Sequence, residues 1–108
     1  MRGFYILRSG GLELKFEWDE KKNQLNIAKH KVSFEEAETV FKDENLIVLF
    51  DCKHSVDEER FNAIGEDLIY RRLIVCHCYR GYDEDIIRII SARMANKQEI
   101  SLYERIGL

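Results

Sequence analysis

The chain has 108 residues, enough for one domain built around a single apolar core. At 45% hydrophobic, 34% charged and a net charge of −3, its composition excludes both a disordered polyelectrolyte and a membrane protein. No apolar run approaches the roughly 20 residues a spanning helix needs, and Phe4–Leu7 is too short for a signal-peptide core, so a cytoplasmic location is expected.

Charge is spread unevenly. Residues 32–67 hold 11 acidic and 3 basic side chains, a balance of −8, while 1–31 and 68–108 come to +3 and +2. The second half of the fold can therefore offer a surface to a polyanion although the whole molecule is acidic. Three cysteines, two of them one residue apart, suit reduced thiols better than a disulfide framework.

In chain order, Met1 to Leu14 shows little pattern, with Ser9-Gly10-Gly11 a flexible break, and reads as an extension ahead of a single domain over residues 15–108. Leu14-Lys15-Phe16-Glu17-Trp18 alternates as a strand with Leu14, Phe16 and Trp18 inward. Asp19 is an N-cap, with Glu20 at the positive end of the helix dipole. That helix is expected to run to about His30 with Leu25 and Ala28 inward. Ser33-Phe34-Glu35-Glu36 is a capping box, and Phe34, Ala37, Val40 and Phe41 form the apolar face of a second helix.

Leu46–Phe50 reads as a strand, and Ser55-x-x-Glu58 as the cap of a short turn. Arg60–Ile64 is strand-like, and Gly65-Glu66-Asp67 turns the chain. Leu68–Arg80 is the longest strand expected, followed by a hairpin turn at Gly81-Tyr82-Asp83 and a strand from Ile86 to Ser91. Ser91 would then cap a last helix carrying Ala92, Ala95, Leu102, Tyr103 and Ile106 on one stripe. The order describes an α+β fold: an antiparallel sheet of four or so strands, two N-terminal helices and a C-terminal helix.

Cys52-x-His54 and Cys76-His77-Cys78 have the residue types of a metal site but lack its spacing. Cys76 and Cys78 fall mid-strand on one face with Ile74 while His77 points the other way, so core packing accounts for them and no metal or cofactor is expected. The arginines carry more information. Arg88 interrupts the apolar run Ile86–Ile90, and a guanidinium placed there must meet an anion, either an internal carboxylate or an external phosphate. Strand alternation allows Arg60, Arg80 and Arg88 to converge on one side of the sheet. Singly, each can pair with an acid of the 32–67 segment; together, with His54 and Glu59, they fit phosphate chemistry. RNA cleavage without a metal requires a base for the 2′-hydroxyl, cations for the added charge on phosphorus and an acid for the leaving oxygen. Arginine suits the middle role, with His54 and Glu59 as candidate base or acid. Lys29-His30-Lys31 is either a solvated helix end or a phosphate contact beside a group titrating near neutrality. Lys29, His30 and Arg93 are the candidate RNA-binding residues.

Four segments stand in order: Phe16-Glu17-Trp18-Asp19-Glu20-Lys21, Lys29-His30-Lys31-Val32-Ser33-Phe34-Glu35-Glu36-Ala37, Asp51-x-x-His54-Ser55-x-x-Glu58-x-Arg60 and Arg88-Ile89-Ile90-Ser91-Ala92-Arg93-x-Ala95. Together they resemble the BrnT family of type II toxin–antitoxin modules, over about Lys15 to Tyr103. The resemblance implies a RelE-like fold and an endoribonuclease that cuts RNA and arrests growth. It also implies neutralisation by a BrnA-type antitoxin whose ribbon-helix-helix domain binds operator DNA, so that the toxin meets DNA only through its partner. A non-catalytic co-repressor acting through that partner is the alternative, with the −8 segment as docking surface. Many members of the family have Gly where Lys31 stands, so Lys31 is expected to adopt a helix-ending backbone.

Overall fold

The computed structural model describes the backbone of residues 2–9 and 12–106 and the side chains of residues 14–106. Its elements are β1 (Arg2–Ser9), β2 (Leu12–Asp19), α1 (Glu20–His30), α2 (Phe34–Glu38), a 3-10 turn (Thr39–Lys42), β3 (Ile47–Phe50), β4 (Phe61–Glu66), β5 (Arg72–Arg80), β6 (Ile86–Met94) and α3 (Lys97–Ile106). Six strands make one sheet in the order β1-β2-β6-β5-β4-β3. The α+β class with a C-terminal helix is as expected, but the sheet is mixed. Every neighbouring pair is antiparallel except β2 and β6, which run parallel. β1 pairs with β2 from Arg2↔Asp19 to Ser9↔Leu12, so most of the patternless N-terminal segment is strand, while the Gly10-Gly11 break lies outside the described residues.

One face of the sheet is sealed by α1, α2 and the 3-10 turn. Phe16 and Trp18 of β2, Ile87, Ile89 and Ala92 of β6, and Leu73 and Val75 of β5 are buried there against Val32, Phe34, Ala37 and Val40. Asp19 caps α1 through its carboxylate, accepting from the N–H groups of Lys21 and Lys22 at 2.9 and 3.3 Å. The Ser33/Glu36 capping box is complete in both directions. Lys31 ends α1 in the left-handed region (φ 61°), donating its N–H to Ile27.

The inward face of α1 corrects the sequence reading. Leu25 is 70% exposed and Ala28 lies in solvent, whereas Asn23 and Asn26 are buried. The helix meets backbone that needs partners rather than an apolar surface. Asn26 donates to the carbonyls of Val32 and Ala92, both at 2.8 Å, and accepts from the Ala92 N–H at 3.1 Å. Asn23 accepts from the Phe34 N–H at 2.8 Å and donates to Glu35 and Glu20. Two side-chain amides thus fasten α1 to the start of α2 and to β6, since buried backbone groups must be satisfied.

Three boundaries also move. Gly65 and Glu66 lie inside β4, and the turn comes at 67–70, so β5 starts at Arg72 rather than Leu68. Gly65 is required by contact: a Cβ there would stand 3.0–3.1 Å from Leu46 and Val40, where the 3-10 turn presses on β4. Ser55 makes no capping bond to Glu58; its hydroxyl pins the 51–60 loop instead. At the C-terminus, Ser91 caps nothing. β6 continues through Ala92 and Arg93 to Met94, and α3 starts at Lys97 behind a reciprocal Asn96/Glu99 pair, each backbone N–H bonded to the other's side chain at 2.8 Å. Of the expected stripe, Tyr103 is buried, Leu102 is partly buried, Ile106 is 55% exposed, and Ala92 and Ala95 precede the helix. The strand runs on because a bulge resets its alternation: Cys76 faces Ser91 but His77 faces Ile89, which leaves Ile90 over.

Tyr103 fastens α3 to the sheet, its hydroxyl donating to Asp43, whose carboxylate also accepts from the Glu66 N–H at 2.8 Å. His77 lies fully buried beside Phe41, Phe61 and Tyr79, its Nδ1–H on the Val75 carbonyl at 3.1 Å. Among the described residues no helix is long and apolar enough to cross a membrane.

Two predictions concern this framework. Replacing Asn26 with Leu strands three buried backbone groups, so urea denaturation should show a loss of about 3 kcal/mol, whereas Lys31→Gly should gain up to ~1 kcal/mol by relieving the left-handed backbone. The second is a pH dependence with two opposing limbs. Burial holds the His77 pKa below 6.5. Its contribution to stability is therefore complete above 6.5 and is lost as pH falls toward the lower folded value. Burial, with Glu35 adding, raises Glu38 to about 7, so its contribution is present below 4.5 and is lost as pH rises through 7. Denaturation midpoints between pH 5 and 8 should show His77→Phe flattening the acid-side loss and Glu38→Gln flattening the loss toward neutrality.

Candidate functional site

The sheet face away from α1 and α2 carries the arginines, and the pairing register says why. Glu17 of β2 stands opposite Arg88 of β6, and Arg88 stands opposite Cys78 of β5. Phe61 is paired with His77 on the helix-covered face, so Arg60, one residue earlier, falls level with Cys78 on the open side. Arg80, two residues beyond Cys78, shares that side. α3 covers the other end of this face, where Tyr103 and Leu102 pack on Ile47, Ile64 and Ile74. Ile74 lies four residues from Cys78, roughly 13 Å along the strand.

The three guanidinium groups are not equivalent. Arg88 bonds Glu17 through Nη1 at 2.7 Å, with the two side chains 18% and 11% exposed. The anion demanded by Arg88 is thus an internal carboxylate. Arg80 pairs with Glu58 at 2.8 Å in a far wetter setting, 46% and 36% exposed. Arg60 has a buried Nε with no hydrogen-bond partner among the described residues.

Arg60 is placed by the loop between β3 and β4. The Asp51 N–H donates to the Arg60 carbonyl at 2.8 Å, extending the ladder one step, and Ser55 bridges the two, accepting from the Arg60 N–H at 2.9 Å. His54 stands on this loop with Nδ1 2.9 Å from an Asp51 carboxylate oxygen, its side chain 66% exposed. Burial works to raise Asp51, but the His54 ring and the nearby backbone N–H groups win and hold it below the usual carboxylate value. His54 and Arg60 line one cleft of about 340 Å³ with Lys53, Asp57 and Glu58.

Other candidate residues lie elsewhere. Glu59 borders a cleft of about 130 Å³ with Phe61, Tyr79 and Glu84, which adjoins that of His54 through the shared wall residue Glu58. Lys29 and His30 end α1, which packs on the opposite face of the sheet from Arg60, Arg80 and Arg88. Arg93 is held in a two-pronged pair with Glu99, both contacts at 2.8 Å. Cys52, Cys76 and Cys78 are free thiols, and burial pushes the Cys76 thiol up. Among the described residues no three His, Cys, Asp or Glu side chains gather as a metal site would require.

Arg71 was not singled out by its sequence context. It bonds Asp67 at 2.7–2.8 Å and Glu36 at 3.1 Å, holding the 67–70 turn against α2. Its four-residue spacing from Asp67 was the available signal. Leu68, Ile69 and Tyr70 are displayed on that turn, with Tyr70 at φ 68°.

Comparisons with known proteins identify the family. Residues 18–99 match the model of the ribonuclease toxin BrnT of type II toxin–antitoxin systems. The crystal structure of the Brucella abortus ribonuclease toxin, BrnT, is similar, with 32% sequence identity, a TM-score of 0.56, and coverage of 74% of this chain and 94% of that one. No curated protein matches the chain. A family match across most of the sequence, joined to a shared α+β architecture, places the chain in the BrnT family of ribonuclease toxins of type II toxin–antitoxin systems.

Proposed function

We propose that this chain is a cytoplasmic endoribonuclease that cuts RNA without a metal ion to arrest growth. A BrnA-type ribbon-helix-helix antitoxin neutralises it and provides its only link to operator DNA. The observation that carries the reading is the Arg60 cleft: a guanidinium with a buried, unpartnered Nε beside a histidine oriented by a carboxylate.

The chemistry follows from these groups. With Nδ1–H directed at Asp51, the Nε2 of His54 is the basic nitrogen and takes the proton of a 2′-hydroxyl. The freed oxygen attacks the adjacent phosphorus, the bond to the 5′-oxygen breaks, and water in this open cleft protonates the leaving oxygen, giving a 2′,3′-cyclic phosphate and a 5′-hydroxyl while His54 returns its proton to solvent. Arg60 neutralises the charge gathering on the phosphoryl oxygens. Arg80 joins it by exchanging Glu58 for phosphate, since so exposed an ion pair is worth only about 0–1 kcal/mol. Arg88 keeps Glu17, because breaking a largely buried pair costs about 3–5 kcal/mol, and the pair forms a neutral floor beneath the site. Lys29, His30 and Arg93 contribute, at most, contacts to RNA outside the cleft. Glu59, at the adjoining cleft, takes no step in this mechanism.

Two carboxylate-bound arginines also favour a second reading, a toxin-derived binding protein without catalysis. Expression of the chain with and without its antitoxin gene separates them: growth arrest only when the chain is alone belongs to the nuclease, and harmless expression alone to the binding protein.

Purified protein should cleave RNA in EDTA; intact RNA at high concentrations of folded protein would sink the proposal. Arg60→Ala should lower the cleavage rate by about 100-fold with an unchanged melting temperature, because no ion pair is broken. Arg88→Ala should instead lose about 3 kcal/mol of stability, so any activity lost there must be read alongside a denaturation curve.

A further inference from the structure

β3 is an edge strand without the usual protection. It lies at the end of the sheet, pairs only with β4 among the described residues, and consists of Ile47, Val48, Leu49 and Phe50, with no charge or proline. Native edges are normally blunted by such residues or by a covering element, because open N–H and C=O groups recruit further strands. Val48, Leu49 and Phe50 are 41%, 38% and 52% exposed. The ladder fixes which backbone groups are open. Asp51 and Arg60 form a hydrogen-bonded pair, so Leu49 and Ile47 also bond inward, and Val48 and Phe50 direct their N–H and C=O groups outward. On the face shared with α3, Leu49, Ile64, Ile74 and Leu102 line an apolar cleft of about 320 Å³.

The surroundings state the chemistry of the partner. Residues 43–51 contain Asp43, Glu44 and Asp51 and no base, so the apolar edge has acids at both ends, within a segment whose balance is −8. We infer that β3 receives an extended segment of the antitoxin, added as a further strand, with apolar side chains over Val48–Phe50 and basic residues flanking them. Acids at both ends suit such a segment in either direction. β3 runs directly into the 51–60 loop, and Lys53 lines both the apolar cleft and that of His54 and Arg60, so a segment continuing past Phe50 is directed toward the latter. This surface rests on the toxin–antitoxin reading but not on catalysis.

Hydrogen exchange tests it, measured on the full chain alone and in the complex purified after co-expression with its antitoxin gene. The Val48 and Phe50 amides should become protected in the complex, while those of Ile47 and Leu49 are slow in both. Val48→Pro removes an outward donor and leaves the inner ladder intact, as proline can at an edge. It should weaken antitoxin binding by roughly tenfold or more, whereas Val48→Thr, which keeps the backbone donor, should bind almost as wild type. Unchanged exchange at Val48 and Phe50, equal weakening by both variants, or no complex at all would overturn the inference. So would dimerisation of the free chain that Val48→Pro abolishes, since the occupant is then a second copy. RNA cleavage by free Val48→Pro protein is read separately: its absence in wild type as well counts against the nuclease and leaves the exchange result standing.

Discussion

The contact between Glu17 and Arg88 fixes the architecture more firmly than any other. It joins residues 71 positions apart across the one parallel pair among the described strands, the seam where the N-terminal strands meet the C-terminal one. A parallel neighbour cannot be reached through a short turn, so side chains must specify the register. A guanidinium and a carboxylate with 18% and 11% exposure do this stringently. A slip of β2 by one residue would send Glu17 into the layer occupied by Phe16, Trp18, Ile87 and Ile89 and leave Arg88 unpaired on the other face, at a cost of several kcal/mol per ion. The pair therefore keeps the apolar residues of β2 and β6 under the helices and reserves the opposite face for charge.

Local features of the sequence disclosed local structure well. Asp19 ahead of α1, the Ser33/Glu36 box and the turn after Arg80 depend on residues within a few positions of one another, and each formed as its chemistry directs. What escaped was set at long range. Asn23 and Asn26 look like solvent-facing residues until the backbone of Val32, Phe34 and Ala92 comes to meet them, and Asn26 and Ala92 are 66 positions apart. Leu25, hydrophobic by type, is outward because its helix anchors through amides. The end of β6 was hidden by the bulge at Ile90, which places Ala92 in the core by strand geometry although its composition suggests helix.

The candidate site shows the same division. Parity along a strand placed Arg80 with Cys78 and Arg88 with Ile86, and those faces could be read from spacing alone. Which carboxylate each arginine meets could not, since Glu17 and Glu58 reach them from other strands and loops. His54 and Glu59 are close in sequence yet line two adjoining clefts that meet at Glu58, a division that the irregular 51–60 loop hides from strand periodicity. Lys29 and His30 were separated from the arginines by the thickness of the sheet, a distance no one-dimensional pattern contains.

Charge segregation links these observations. The acidic segment folds into α2, which packs on β6, and into the 3-10 turn, β3, the 51–60 loop and β4 at one flank of the sheet, where Arg80 of β5 meets it. Acids and arginines neutralise one another in proportion to burial, Arg88 through Glu17 of β2 outside that segment and Arg80 through Glu58 within it. Arg88 is held tightly, Arg80 loosely, and Arg60, whose side chain enters the cleft beside the acidic loop, keeps an unmatched Nε. A polyanion approaching from the arginine side and a basic peptide approaching from the β3 side would therefore meet at the same loop. On that proposal the two would compete by occupancy, since Lys53 lines both the cleft under β3 and the cleft of His54 and Arg60.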